Sequence, residues 1–164
     1  MPARDDPFDL PPFTRMTLDR ASTERKDPEW VRRMLEDPAT QAVSATREGV
    51  AMSDGGEPAL RRGELSGERT DEPILLGLED GAPLFAVDLE GLPDGERSEA
   101  IEDADVTPLR EAGLVLAPAE AGLAAYTVAL LNWHRRHRFC ANCGAETVVL
   151  EAGYSRRCPR CGAH

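Results

Sequence analysis

Two C-x2-C pairs, Cys140 with Cys143 and Cys158 with Cys161, hold all four cysteines of the chain, and fourteen residues separate Cys143 from Cys158. Two residues between ligands let a backbone curl until both sulfurs reach one ion. Two such turns complete a tetrahedron, the shell zinc accepts with sulfur at about 2.3 Å. Each pair is followed at once by a glycine, Gly144 and Gly162. A residue free to take positive φ lets the turn continue around the metal. Between the pairs, Thr147, Val148 and Val149, then a break at Gly153, then Tyr154 predict a hairpin. The segment is expected to be a zinc ribbon.

Other chemistries use the same residues. Two disulfides would be strained across two-residue loops and belong to an oxidising compartment. A dithiol redox pair needs one C-x2-C at a helix N-terminus after a strand, and it leaves the second pair without a role. Iron in a rubredoxin-like shell uses the same turns and stands beside zinc as an alternative. Four thiolates leave the ion no open position, so the expectation is one structural Zn2+ per chain that folds the segment. His134, His137 and His164 lie near the cysteines, and each reads as a helix-end or surface residue rather than a catalytic group.

The rest of the chain bounds the setting. In 164 residues there is room for one ordinary domain or two small ones. No apolar run approaches the roughly 20 residues of a membrane helix. "MPARDDPFDLPPF" lacks the basic start and apolar stretch of a secretory signal, so the expected location is cytoplasmic, with no membrane partner. The net charge of −11 is uneven. Six arginines against Glu146 and Glu151 give residues 135–164 a charge of +4 and leave −15 on the remainder. Zinc with four thiolates adds about −2, so charge alone argues weakly for nucleic acid.

Several elements are legible. "DPEWVRRMLED" predicts a helix with Asp27 as N-cap, Pro28 at the first position, and Trp30, Val31, Met34 and Leu35 on one face. Gln41 to Leu65 reads as short strands around loops. Ile74 to Leu78 and Leu84 to Val87 flank Asp80-Gly81, a strong hairpin signal. "TPLREAG" predicts a short helix capped by Thr107 with Pro108 first. "APAEAGLAAYTVALLNWHRRH" predicts a long helix with Leu123, Tyr126, Leu130 and Trp133 or His134 on one face. The stretch to Leu10 reads as loosely held, and Glu99, Glu102, Asp103 and Asp105 as a solvated connection without magnesium.

The run "LLNWHRRHRFCANCGAETVVLEAGYSRRCPRCGAH" resembles the zinc-ribbon segment of the NADH pyrophosphatase family of Nudix hydrolases. "LDRASTERKDPEWVRRMLEDPAT" and "EPILLGLEDGAPLFAVDL" resemble that family's N-terminal domain. The resemblance implies an α+β chain: a rudimentary Nudix-like domain over 1–118, a connecting helix over 119–137 and a zinc ribbon over 138–164. It implies zinc ligation by Cys140, Cys143, Cys158 and Cys161, and a homodimer. It also implies a following catalytic Nudix domain that cleaves the pyrophosphate of NADH or NAD, or removes NAD caps from RNA.

That catalysis requires the box G-x5-E-x7-R-E-U-x-E-E-x-G-U, with U apolar, whose glutamates bind divalent cations. "REAGLVL" from Arg110 comes nearest and lacks the glutamate pair. Mg2+ or Mn2+ is therefore expected only in the Nudix domain, and no catalytic or cofactor-binding residue is assigned here. The expectation is a portion inactive by itself. The alternative is a freestanding ribbon module whose arginines, with Phe139 and Tyr154, contact nucleic acid or a protein.

Overall fold

Along β1 (Gln41–Ala45) successive side chains alternate between two cores, with Val43 and Ala45 in one and Ala42 in the other. The computed structural model describes residues 16–53, 57–64, 74–92 and 104–164. The alternation repeats in β2 (Gly49–Ala51), where Val50 joins the first core and Ala51 the second. It repeats again in β5 (Ala82–Asp88), with Leu84 and Ala86 on one side and Val87 on the other. Burial on both faces is what makes these strands read as nearly continuous apolar text.

Among the described residues the strands form a six-stranded mixed sheet. With β3 (Arg62–Gly63), β4 (Ile74–Glu79) and β6 (Val106–Pro108), the order is β4-β5-β1-β2-β6, and β3 pairs with β1. β1 and β5 run parallel and the other pairs antiparallel. β4 and β5 are the expected hairpin, turning at Asp80 (φ 49°) and Gly81 (φ 89°), the left-handed pair that suits a twisted two-residue connection.

Three α-helices accompany the sheet among the described residues. α1 (Pro28–Glu36) begins as its sequence predicts: the Asp27 carboxylate accepts the Glu29 N–H at 2.9 Å and Pro28 opens the first turn. Val31 is buried, Trp30, Met34 and Leu35 are half-buried, and Glu29, Arg32, Arg33 and Glu36 face solvent. α2 (Leu109–Val115) and α3 (Pro118–Arg136) close the first core over Val43, Val50, Leu76 and Leu84. They do so with Ala112, Ala121, Leu123, Ala124, Val128 and Leu131.

Two local expectations are corrected. Thr107 caps no helix: Val106–Pro108 is β6, with Thr107 opposite Val50 and Pro108 opposite Gly49. The open edge of β2 takes up these residues, and a proline is tolerated there because it ends a strand at the sheet's margin. α2 starts one residue later, without a side-chain cap. The buried stripe of α3 keeps part of the expected face and is centred beside it. Leu123 and His134 of the expected face are buried, together with Ala121, Ala124, Thr127, Val128 and Leu131, while Tyr126 and Leu130 are half-buried and pack at the border. Alanines let the helix approach the sheet closely, so they occupy the centre that larger residues seemed to mark.

Polar clasps fasten the body. Arg62 spans β3 to Glu79 at 2.9 Å and to Glu120 of α3 at 2.6 Å, and the other Glu120 oxygen accepts the Leu60 N–H. At the far end of α3, Arg135 pairs with both Asp88 oxygens at the end of β5. The stretch to Leu10 and the acidic residues Glu99, Glu102 and Asp103 lie outside the described residues, and Asp105 sits in the turn before β6. None of the described helices is long and apolar enough to cross a membrane.

Candidate metal centre

Beyond α3 the chain makes two matching turns. In the first, Cys140 N–H donates to the Ala145 carbonyl and Gly144 N–H to the Cys140 carbonyl, each at 2.8 Å. In the second, Cys158 N–H donates to Ala163 at 2.8 Å and Gly162 N–H to Cys158 at 3.0 Å. Gly144 and Gly162 take φ of 70° and 77°, the left-handed conformation that the glycine after each pair predicts. Between the turns, β7 (Val148–Leu150) and β8 (Ser155–Arg157) pair antiparallel, completing the expected ribbon hairpin.

The four sulfurs converge, all within 4.8 Å of one another. Cys140 stands 3.5 Å from Cys161, and Cys143 3.5 Å from Cys158, so each close contact joins one turn to the other. Sulfurs at about 2.3 Å from a tetrahedral ion would stand about 3.8 Å apart. The cluster therefore fits zinc with little adjustment. All four cysteines are free thiols in this arrangement, and neither turn lies at a helix N-terminus, against both the disulfide and the dithiol redox alternatives.

Their electrostatics favour a cation. Backbone N–H groups of Cys161 and Arg160 hold the Cys158 thiol down at about 6. The Ala145 N–H acts the same way on Cys143, but the neighbouring Cys158 sulfur, burial and the other cysteines outweigh it and push that thiol up to about 12. Cys161 is also raised, by Cys140 and Cys158 against the Ala145-like help of Ala163 N–H. Cys158 ionises readily, whereas Cys143 and Cys161 resist. A divalent ion removes that conflict.

The ribbon is seated on the body by residues the sequence did not single out for that task. His134, expected at a helix end or surface, is 7% exposed. Arg156 Nη1 lies 2.9 Å from His134 Nδ1. A guanidinium only donates, so Nδ1 accepts and Nε2–H donates to the Gly153 carbonyl, also at 2.9 Å. Arg156 further donates to the Thr147 hydroxyl and carbonyl, and Thr147 Oγ1 donates to the His137 carbonyl at 2.7 Å. One signal was available: strand alternation turns Arg156 away from exposed Arg157, toward the side that α3 closes.

The hairpin tip completes the seam. Glu151, Ala152 and Gly153 all have positive φ, and a Cβ on Gly153 would stand 2.9 Å from Ile74 Cα. Beside it, the Tyr154 ring lies 5.2 Å from the guanidinium of Arg25 and 5.6 Å from that of Arg20. Arg25 is 2% exposed and donates to the carbonyls of Arg20 and Leu75. Burial lowers its pKa, against the pull of the nearby tyrosines. His137 and His164 remain exposed, and His137 joins this arrangement only through its backbone carbonyl.

Comparison with known proteins agrees with this anatomy. Residues 20–133 match the family described as NADH pyrophosphatase-like rudimentary NUDIX domain, and residues 135–164 match the NADH pyrophosphatase zinc ribbon domain. The NAD-capped RNA hydrolase NudC of Deinococcus radiodurans is 37% identical over 118 residues, covering 71% of this chain and 38% of the relative. NudC of Mycobacterium tuberculosis is 30% identical over 154 residues, covering 93% and 48%. Human NAD-capped RNA hydrolase NUDT12 is 27% identical over 184 aligned positions, covering 89% and 39%. The chain thus spans less than half the length of these curated relatives. With its α+β body and four-cysteine ribbon, the chain belongs to the NADH pyrophosphatase family of Nudix hydrolases, of which it holds the rudimentary NUDIX domain and the zinc ribbon.

Proposed function

We propose that this chain is the N-terminal and ribbon portion of a hydrolase that cleaves the pyrophosphate of NADH, NAD or an NAD cap on RNA. A four-sulfur site docked on a rudimentary NUDIX body carries this reading, together with a sequence in which no stretch matches the Nudix box. Cys140, Cys143, Cys158 and Cys161 hold one Zn2+, which supplies a closed tetrahedral cross-link and no open coordination position. His134, Arg156 and Thr147 orient the ribbon on the body. The reducing cytoplasm, where thiols stay free for metal, is the compartment this site suits.

Chemistry belongs to a C-terminal Nudix domain with Mg2+ or Mn2+ bound by its own glutamates, and the protein works as a homodimer. The portion described here is inactive alone and serves assembly and substrate shaping. NADH hydrolysis by this chain, assayed with Mg2+ or Mn2+, tests the assignment. Turnover is expected only after fusion to a relative's Nudix domain. Robust turnover by the isolated chain would overturn the division of labour.

A further inference from the structure

The two faces of the ribbon hairpin differ sharply. Thr147 and Arg156 turn toward α3 and are buried. On the opposite side, Phe139 bridges to Glu146, Val148 lies opposite Arg157, and the Arg138 guanidinium reaches Glu146 at 3.8 Å. Phe139 is 64% exposed and Val148 43%. Arg138 and Arg157 are exposed as well, with Arg160 in the next turn. An exposed apolar ring thus shares the ribbon with three exposed arginines, while residues 1–134 carry −15 in sequence.

Burial also sorts the arginines. Arg135 is committed to Asp88, and Arg156 to Thr147 and His134. Arg135 thus fastens α3 to the sheet within the body, and Arg156 serves the seam between body and ribbon. Arg138, Arg157 and Arg160 are exposed, and of these Arg138 reaches Glu146.

We propose that this strip, Phe139 with Arg138, Arg157 and Arg160, binds single-stranded RNA. A base stacks on the Phe139 ring and the guanidinium groups engage successive phosphates. Stacking on an open aromatic and electrostatic contact to phosphates together give sequence-tolerant single-strand binding. Val148 covers the sugar–base edge beside Arg157. The inference rests on the capped-RNA part of the function proposed above, to which it adds a place for the RNA beyond its cap.

The test uses the zinc-loaded 164-residue chain and a fluorescently labelled 12-nucleotide RNA bearing a 5′-monophosphate. Anisotropy at rising salt is expected to show affinity falling with a log–log slope of roughly −2, as about three phosphate contacts would give. Phe139→Ala is expected to weaken binding about fivefold or more. Arg157→Gln should make the salt slope shallower, while Arg32→Gln on the outer face of α1 changes neither. Zinc stoichiometry is measured on each variant to show that the ribbon is intact.

Absence of binding at low salt overturns the proposal. So does unchanged affinity in both ribbon variants. A change in sedimentation mass on Phe139→Ala, with RNA affinity unaltered, would identify the strip as a protein interface instead. NADH hydrolysis by the chain fused to a Nudix domain separates the two ideas. If it persists while the RNA arm fails, only the strip falls; if it is absent, the functional reading falls.

Discussion

In the body, two apolar layers clamp a sheet, and residues such as Val43, Val50, Leu76 and Phe85 are completely enclosed. In the ribbon, the buried residues are Cys140, Thr147, Gly153, Arg156 and Cys158. No valine or leucine of the hairpin is fully enclosed: Val148 is exposed, and Val149 and Leu150 are half-buried. One region is held by area removed from water. The other depends on coordination and directed hydrogen bonds, because about thirty residues cannot enclose a sufficient apolar core. The difference teaches that the two regions should fail under different insults, although they meet at a shared seam.

Metal removal is the hardest test of this contrast. Apparent zinc free energies of roughly 10–16 kcal/mol exceed anything else available to the ribbon. Chelation or Cys158→Ser should therefore unfold the chain from about residue 138 onward and leave β1, β2, β4 and β5 protected. Hydrogen exchange followed by mass spectrometry reads this directly. Unchanged protection in β7 and β8 after chelation would break the comparison.

The converse substitution lies in the body. Phe85→Ala removes an enclosed ring from β5 and should cost about 3–5 kcal/mol, lowering the thermal midpoint of the body. Competition with a chromophoric chelator should show the zinc affinity little changed.

At the seam, Arg156→Met leaves His134 Nδ1 and the Thr147 carbonyl without this donor and should cost about 1–3 kcal/mol. The expected signature is retained zinc with faster amide exchange at Gly153 and in the last turn of α3. Loss of zinc itself would mean that the seam, and not the cysteine shell, holds the ribbon.

Acidity gives a further separation. Because the metal-free ribbon is unfolded, its cysteines are protonated thiols at neutral pH, as in any exposed chain, so zinc must displace their protons. Affinity should accordingly rise with pH, roughly tenfold per unit for each proton released. Calorimetry in buffers of different ionisation enthalpy counts the protons. The smallest effect belongs to Asp27→Ala, which removes the α1 cap and should cost about 1 kcal/mol of body stability, read by urea denaturation.

Much of the metal centre was legible because its determinants are local. Cysteine pairs two residues apart, each followed by glycine, specify a turn whose hydrogen bonds close within six residues. The β4–β5 hairpin and the α1 cap were legible for the same reason: Asp80-Gly81 and Asp27-Pro28 state their own geometry. Thr107 and Pro108 read as a helix start by equally local rules, and there the edge of β2 prevailed. In α3, Leu123 of the implied face is buried as expected, and close approach to the sheet adds the alanines beside it while Tyr126 and Leu130 stay at the border.

What the sequence by itself determined is the pair of cysteine turns, the hairpin between them and the family they mark, since each rests on contacts between near neighbours. Tertiary structure alone decided that His134 and Arg156 become buried partners, that Gly153 lies against Ile74, and that Phe139 is left open to solvent. Those outcomes depend on which face of the ribbon meets α3 and the sheet. That choice is made by groups distant in the chain coming within hydrogen-bond and packing distance.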